Sequence, residues 1–251
     1  MKIIGDIPNT FTSLASCDSL YMREHAPALA ASCALVDNDL HVHMINPMHD
    51  DFTTLQVINE GAKKLNDKFR LTVSYEESDL RKLSAEERRT YFACNRFLVA
   101  NELLALGSDS LFITDVDCLF MQHVSQADAT LGLFLREALP GTVGWEREGT
   151  KVAAGAVYYH KSIGWFAKEV ADIISNNPYR WFLDQAALSR VYQKHKLDID
   201  NFRCFDEKFL DWKFKQGTTI WTGKGARKHD NPIYVSKKKE FENRLANEKL
   251  D

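Results

Sequence analysis

Gly107-Ser108-Asp109-Ser110-Leu111-Phe112-Ile113-Thr114-Asp115-Val116-Asp117 is the stretch on which the reading of this chain turns. Turn-forming residues lead into a short apolar run, and two acids stand at its downstream end. The run reads as a buried strand, and open α/β sheets gather ligands outside the carboxyl ends of such strands. In extended chain, residues i and i+2 share a face, so Asp115 and Asp117 are expected to offer oxygens to one hard divalent cation, Mg²⁺ or Mn²⁺. A cation held in that way clamps a diphosphate.

Two further Asp-x-Asp triplets lack this context. Asp37-Asn38-Asp39 precedes the strand-like Leu40 to Ile45 and reads as a polar turn at the wrong end. Asp198-Ile199-Asp200 follows a charged helix end and reads as a solvated loop. For the 115/117 pair the plainer reading is that the carboxylates cap the next helix.

The chain has 251 residues, 45% of them hydrophobic, which allows a large core, and no Pro/Gly/Ser-rich linker divides it. One domain over residues 1–251 is expected, ending in a charged tail from about residue 236, whose Lys237-Lys238-Lys239 run reads as a solvated face. A net charge of −3 argues against general affinity for nucleic acid. No N-terminal segment combines a basic start with an apolar core of about 7 to 15 residues, and no run of about 18 apolar residues occurs. No membrane span is expected. Cys17, Cys33, Cys94, Cys118 and Cys204 are odd in number and form no Cys-x-x-Cys pair, which points to reduced thiols and the cytoplasm. His41 and His43 alternate on one strand face, but no Cys or Glu stands at a zinc-site spacing, so a half-exposed strand is expected there.

Strand and helix signals alternate, as in an α/β protein with a mostly parallel sheet. Strands are expected at Phe11–Ser16, Leu40–Ile45, Leu71–Ser74, Leu111–Ile113, Thr130–Arg136, Gly141–Trp145 and Ala153–Tyr159. Helices are expected at Ser19–Val36 with a break near Pro27, Phe52–Leu65, Ala85–Leu106, Ile163–Ser175 and Trp181–Lys194, the last two separated by the stop Asn176-Asn177-Pro178.

Two charges sit on apolar helical stripes. Arg96 shares a stripe with Phe92, Val99 and Leu103, and a guanidinium there needs an anionic partner, either a carboxylate or a ligand in a cleft. Asp184 lies on the stripe of Trp181 and Leu188, where helix capping is the plainer reading. Gly223-Lys224-Gly225-Ala226-Arg227-Lys228 combines small residues with three cations suited to phosphate oxygens, although it fails the Walker pattern.

Ser13-Leu14-Ala15-Ser16-Cys17-Asp18-Ser19-Leu20-Tyr21, Asp115-Val116-Asp117, Gly155, Asp184-Gln185 and Gly225-Ala226-Arg227-Lys228 follow in the order found in GT-A-fold glycosyltransferases. Over most of its length the chain resembles glycosyltransferase family 8, the glycogenin and galactosyltransferase-like group. That resemblance implies a nucleotide-diphospho-sugar donor, with UDP foremost, and an acceptor that is a glycan, a protein or a small molecule. It implies that Leu14, Ser16 and Tyr21 hold the nucleoside and that Arg96, within Tyr91 to Arg96, helps build the donor cleft. Asp115 and Asp117 would hold Mn²⁺ or Mg²⁺, with Val116 beside the donor. Gly225, Arg227 and Lys228 would meet the diphosphate, and Asp184 and Gln185 the transferred sugar.

The chain also departs from that pattern. The family's His-x-x-Gly-x-x-Lys has threonine, Thr222, at the metal-ligating histidine, leaving His229 as the candidate replacement. Ala153-Ala154-Gly155 stands where the family reads Asn-Ala-Gly. Three rivals belong to other classes. A haloacid-dehalogenase-type phosphatase would need Gly-Thr or similar where Cys118-Leu119 stands. A sugar nucleotidyltransferase would need a Gly-rich, Arg-containing loop near the start. The third is a non-catalytic nucleotide-sugar or carbohydrate-binding protein. Trp145, Trp181, Trp212 and Trp221 offer faces that can stack on sugar rings, although the core is the plainer place for most of them.

Overall fold

Phe11 to Asp18 is the strand around which the sheet is built, because apolar or small residues on both of its faces let it sit between two neighbours. The computed structural model describes residues 1–124, 129–223 and 225–246. In chain order the first half comprises β1 (Lys2–Ile4), β2 (Phe11–Asp18), α1 (Ser19–Leu35), β3 (Asp39–Ile45), α2 (Asp51–Leu65), β4 (Leu71–Glu76), α3 (Ala85–Ala105), β5 (Ser110–Thr114) and β6 (Cys118–Phe120). The second half comprises β7 (Leu131–Leu135), α4 (Gly144–Gly149), β8 (Val152–His160), α5 (Gly164–Ser175), α6 (Leu183–His195), β9 (Phe202–Phe205), β10 (Leu210–Asp211), β11 (Ile220–Thr222), α7 (Arg227–Asp230) and α8 (Pro232–Ala246).

The main sheet has the order β1-β4-β3-β2-β5-β8-β7-β9, with β1 and β8 antiparallel to their neighbours and the other pairs parallel. From β2 the chain steps outward through β3 and β4, then returns to place β5 on the other side of β2. The order reverses between β2 and β5, and the crevice outside their carboxyl ends is where an α/β sheet takes its ligand. A small sheet, β10-β11-β6, lies beside it and carries the chain from Asp117 toward the C-terminal helices.

Strand alternation feeds two cores. Phe11, Ala15, Cys17 and Phe112 point toward α1 and α2, whereas Leu14, Leu111 and Ile113 point toward α3, α5 and α6. α8 closes the first layer against α1 and α2, where Gly61 leaves room that a Cβ would take from the Leu245 carbonyl, only 2.8 Å away. Among the described residues no helix is long and apolar enough to cross a membrane. All five cysteines are unpaired, and Cys204 alone among them is exposed.

Three expectations are corrected. Pro27 does not break α1, which runs unbroken from Ser19 to Leu35. Its neighbours Ala26, Ala28, Leu29, Ala30 and Ala31 are all buried, and packing on that scale outweighs the roughly 3 kcal/mol that an interior proline costs. Gly141–Trp145 forms no strand: Gly141 and Gly144 take φ of +80° and +52°, and α4 begins at Gly144. Trp145 is instead held between the guanidiniums of Arg180 and Arg190, 4.1 and 4.2 Å from its ring centroid.

His41 and His43 are not half-exposed. Both are fully buried on β3, between β2 and β4. His41 bonds Thr72 and Ser74 through its two ring nitrogens, each at 2.8 Å, and His43 Nδ1 bonds Ser74 at 2.8 Å. Burial pushes the His41 pKa down to about 3, and that of His25, buried on α1, down to about 4. The unfolded chain takes up these protons near pH 6.5 while the folded chain refuses them. Stability is therefore full above about pH 6.5 and falls as pH drops toward the folded values, with His41 alone removing about 2 kcal/mol by pH 5. The urea midpoint is expected to fall between pH 7.5 and pH 5, and to fall less in His41→Gln. An equal fall in that variant rules out His41 as a source.

Candidate active site

The crevice between the ends of β2 and β5 gathers three acids and two cations. Asp115 follows β5 and Asp117 lies two residues on, but the segment between them is a turn, closed by the Cys118 amide on the Asp115 carbonyl at 3.1 Å. The expected strand alternation is therefore not what brings the two carboxylates together. The turn does so, anchored by Val116, which is buried in the core on the α1 side. Ligand atoms of Asp115, Asp117 and Cys118 lie within 4.8 Å of one another.

Asp115 is ion-paired with Arg96 of α3, whose other terminal nitrogen stands 3.3 Å from Asp184 of α6. Arg96 is buried, and its need for an anionic partner is met by two carboxylates. Asp184 also accepts a hydrogen bond from the Gln185 amide at 2.8 Å, so charge at the start of α6 and the ion pair act together. Gly155 on β8 explains why Asp115 fits: a Cβ there would come within 2.9 Å of Asp115 Oδ2.

Asp117 is nearly buried, its side chain 9% exposed, and accepts a hydrogen bond from Lys228 Nζ at 2.8 Å. Lys228 also donates to the Tyr21 hydroxyl and lies over the Tyr21 ring. Burial lowers the Lys228 pKa, but Asp117 and Tyr21 outweigh it and the net shift is upward, so the ammonium keeps its charge. The Asp117 carbonyl accepts from the Tyr234 hydroxyl at 2.7 Å and from the Gly223 amide at 3.1 Å.

Two carboxylate oxygens thus stand within reach of one cation, and their charges are partly met already. Asp115, Asp117 and Asp184 carry three negative charges against the two positive charges of Arg96 and Lys228. One negative charge is left over, which suits a hard cation that draws its remaining ligands from phosphate and water. Cys118, the third member of the group, was not foreseen. Its thiol is fully buried, and burial with the neighbouring Asp117 pushes its pKa up to about 12, so it offers a neutral soft sulfur that does not suit Mg²⁺ or Mn²⁺.

Other residues singled out from sequence fall in different places. His229 stands apart from the acids, with Nδ1 3.5 Å from Glu24 and its ring beside His25, because the turn into α7 aims it at α1. Thr222 is buried opposite Cys118 in the β11–β6 pairing. The Leu14 side chain is wholly in the core on the α3 side, whereas Ser16, two residues on, donates to Asn95 Oδ1 at 3.0 Å. Gly225 has φ of +68°, a conformation that glycine adopts without strain, and Arg227 after it is exposed. Lys224 lies outside the described residues.

A polar network beside Ser16 left little trace in the sequence. Glu76 at the end of β4 accepts hydrogen bonds from Tyr91 and from Asn95, the latter at 3.0 Å, and from Ser78 at 2.9 Å. Burial raises its carboxyl pKa, but bonds from His43, Tyr91, Ser78 and Asn95 together bring it down to about 2. Gln185 is held in turn, its side-chain oxygen 2.8 Å from Arg136 Nη2.

The galactosyltransferase LgtC, solved in complex with donor and acceptor sugar analogues, has a similar structure, with a TM-score of 0.58 over 94% of this chain and 95% of that one. The chain has the GT-A fold. Sequence identity to LgtC is 12%, so the likeness carries the fold alone. No protein-family model and no curated protein matches the chain by sequence. The GT-A architecture sets aside the dehalogenase-type phosphatase reading.

Removing Arg96 would leave Asp184 buried beside an unpaired Asp115. Arg96→Met is expected to cost about 3 to 5 kcal/mol, and adding Asp184→Asn to recover part of the loss. Denaturant melts of both variants check this, and no recovery in the double variant rules out the shared ion pair.

Proposed function

We propose that this chain is a metal-dependent glycosyltransferase that moves a sugar from a nucleotide-diphospho-sugar, UDP-linked in the first instance, to an acceptor. The observation that carries this reading is the grouping of Asp115 and Asp117 with Arg96, Asp184 and Lys228 at the switch-point crevice of a GT-A fold.

Asp115 and Asp117 are the residues that would hold Mn²⁺ or Mg²⁺. Such an ion supplies positive charge against the diphosphate as the sugar–phosphate bond breaks. Lys228 exchanges Asp117 for a phosphate oxygen, and Arg227, exposed one residue earlier, adds a second cation on the same short helix. Ser16 and Tyr21 face the nucleoside, and Val116 and Gly225 shape the turns around the diphosphate. Asp184 and Gln185, fixed by Arg96 and Arg136, face the transferred sugar.

A second reading, a nucleotide-sugar or carbohydrate-binding protein without turnover, is favoured by one observation. Both metal-facing acids are ion-paired within the chain, and Cys118 rather than an oxygen or imidazole ligand completes the group.

Thermal stabilisation by UDP-, GDP- and CDP-sugars with and without Mn²⁺ tests ligand class, since a ligand at 100 times its Kd adds about 2.7 kcal/mol to the folded state. One donor series is expected to stabilise the protein, more strongly with Mn²⁺. Asp117→Asn is expected to lose the Mn²⁺ increment and donor hydrolysis while keeping the fold. Hydrolysis undiminished in that variant contradicts the metal role, and binding without turnover in the native protein favours the second reading.

A further inference from the structure

Arg136 follows β7, which runs parallel to β5, so it leaves the sheet at the same edge as Asp115. It is half-buried, yet among the described residues no carboxylate comes within ion-pair distance of it. Arg96, Arg23, Arg70 and Arg81 all have acid partners. Arg136 has only neutral ones: its Nη2 donates to the Val152 carbonyl at 3.1 Å and to Gln185 Oε1 at 2.8 Å. Its Nε is buried and bonds nothing. Burial lowers its pKa and no neighbouring charge offsets that cost.

A half-buried guanidinium without a counter-charge is costly, and with both Nη2 hydrogens given to a carbonyl and a side-chain amide oxygen and with Nε buried, Nη1 is the donor left for a ligand. Its anion is expected from outside. The guanidinium stands beside Gln185, adjacent in chain to Asp184, and Asp184 meets Asp115 through Arg96. We propose that Arg136 recognises an oxyanion, a carboxylate or a phosphate, carried by one of the two sugars that meet in this crevice. The proposal rests on the transferase reading above and adds the substrate class: an acidic sugar, in the donor or in the acceptor.

The test compares acidic with neutral probes in two arms by calorimetry and thermal shift. The donor arm sets UDP-glucuronic acid against UDP-glucose. The acceptor arm sets glucuronic acid and glucose 6-phosphate against glucose, in the presence of Mn²⁺ and whichever of UDP, GDP or CDP stabilises the protein. In one arm the acidic probe is expected to bind at least about tenfold more tightly, and the arm that shows this identifies the sugar. Arg136→Gln is expected to bring the preference within about twofold, and Arg136→Lys, which keeps the charge but not the bonds to Val152 and Gln185 that fix the guanidinium, to keep part of it while the nucleotide still binds both variants. Equal binding of acidic and neutral probes in both arms overturns the proposal, as does a preference that survives Arg136→Gln. Failure of all three nucleoside diphosphates to bind overturns the transferase reading itself, a result distinct from nucleotide binding without acid preference.

Discussion

Arg96 ties together three elements that are distant in the chain. From the middle of α3 it reaches Asp115 at the end of β5 and Asp184 at the start of α6. Asp184 alone at that depth would face desolvation, and Asp115 beside it adds repulsion, and a single guanidinium answers both. The pairing therefore links the ends of β5 and α6 through α3. It also requires that β8 carry no side chain at Gly155, since a Cβ would press on Asp115.

Lys228 plays a similar part on the other side. It draws α7 toward Asp117 and Tyr21, so that the end of β2, the turn after β5 and the segment after β11 converge. The two cations keep like-charged acids close together in the free protein.

Much of this was legible in the sequence because the physics involved is local. Acids at the end of an apolar run mark the carboxyl edge of a strand, and an arginine on an apolar stripe announces a missing anion. Two of the failures have their cause in tertiary context. Nothing near Pro27 says that the helix is buried enough to tolerate it, and nothing near His41 says that β4 will supply hydroxyls from Thr72 and Ser74. The turn at Gly141 and Gly144 was signalled by its glycines but was overridden by the apolar residues around them. Cys118 was visible as a neighbour of Asp117, yet only the fold shows its sulfur facing the same point. Arg136 entered the sequence reading only as the end of a strand, because its partners Val152 and Gln185 come from elements further along the chain.

The hydroxyl of Tyr234 on the carbonyl of Asp117 joins the last helix to the acidic turn. During synthesis β2, β5 and the turn emerge long before α8 does. A nascent chain can complete most of the parallel sheet while the turn still lacks the Gly223 amide, the Tyr234 hydroxyl and the Lys228 ammonium. The restraints on the acidic turn are therefore completed only when α8 docks, the same step that closes the layer over α1 and α2.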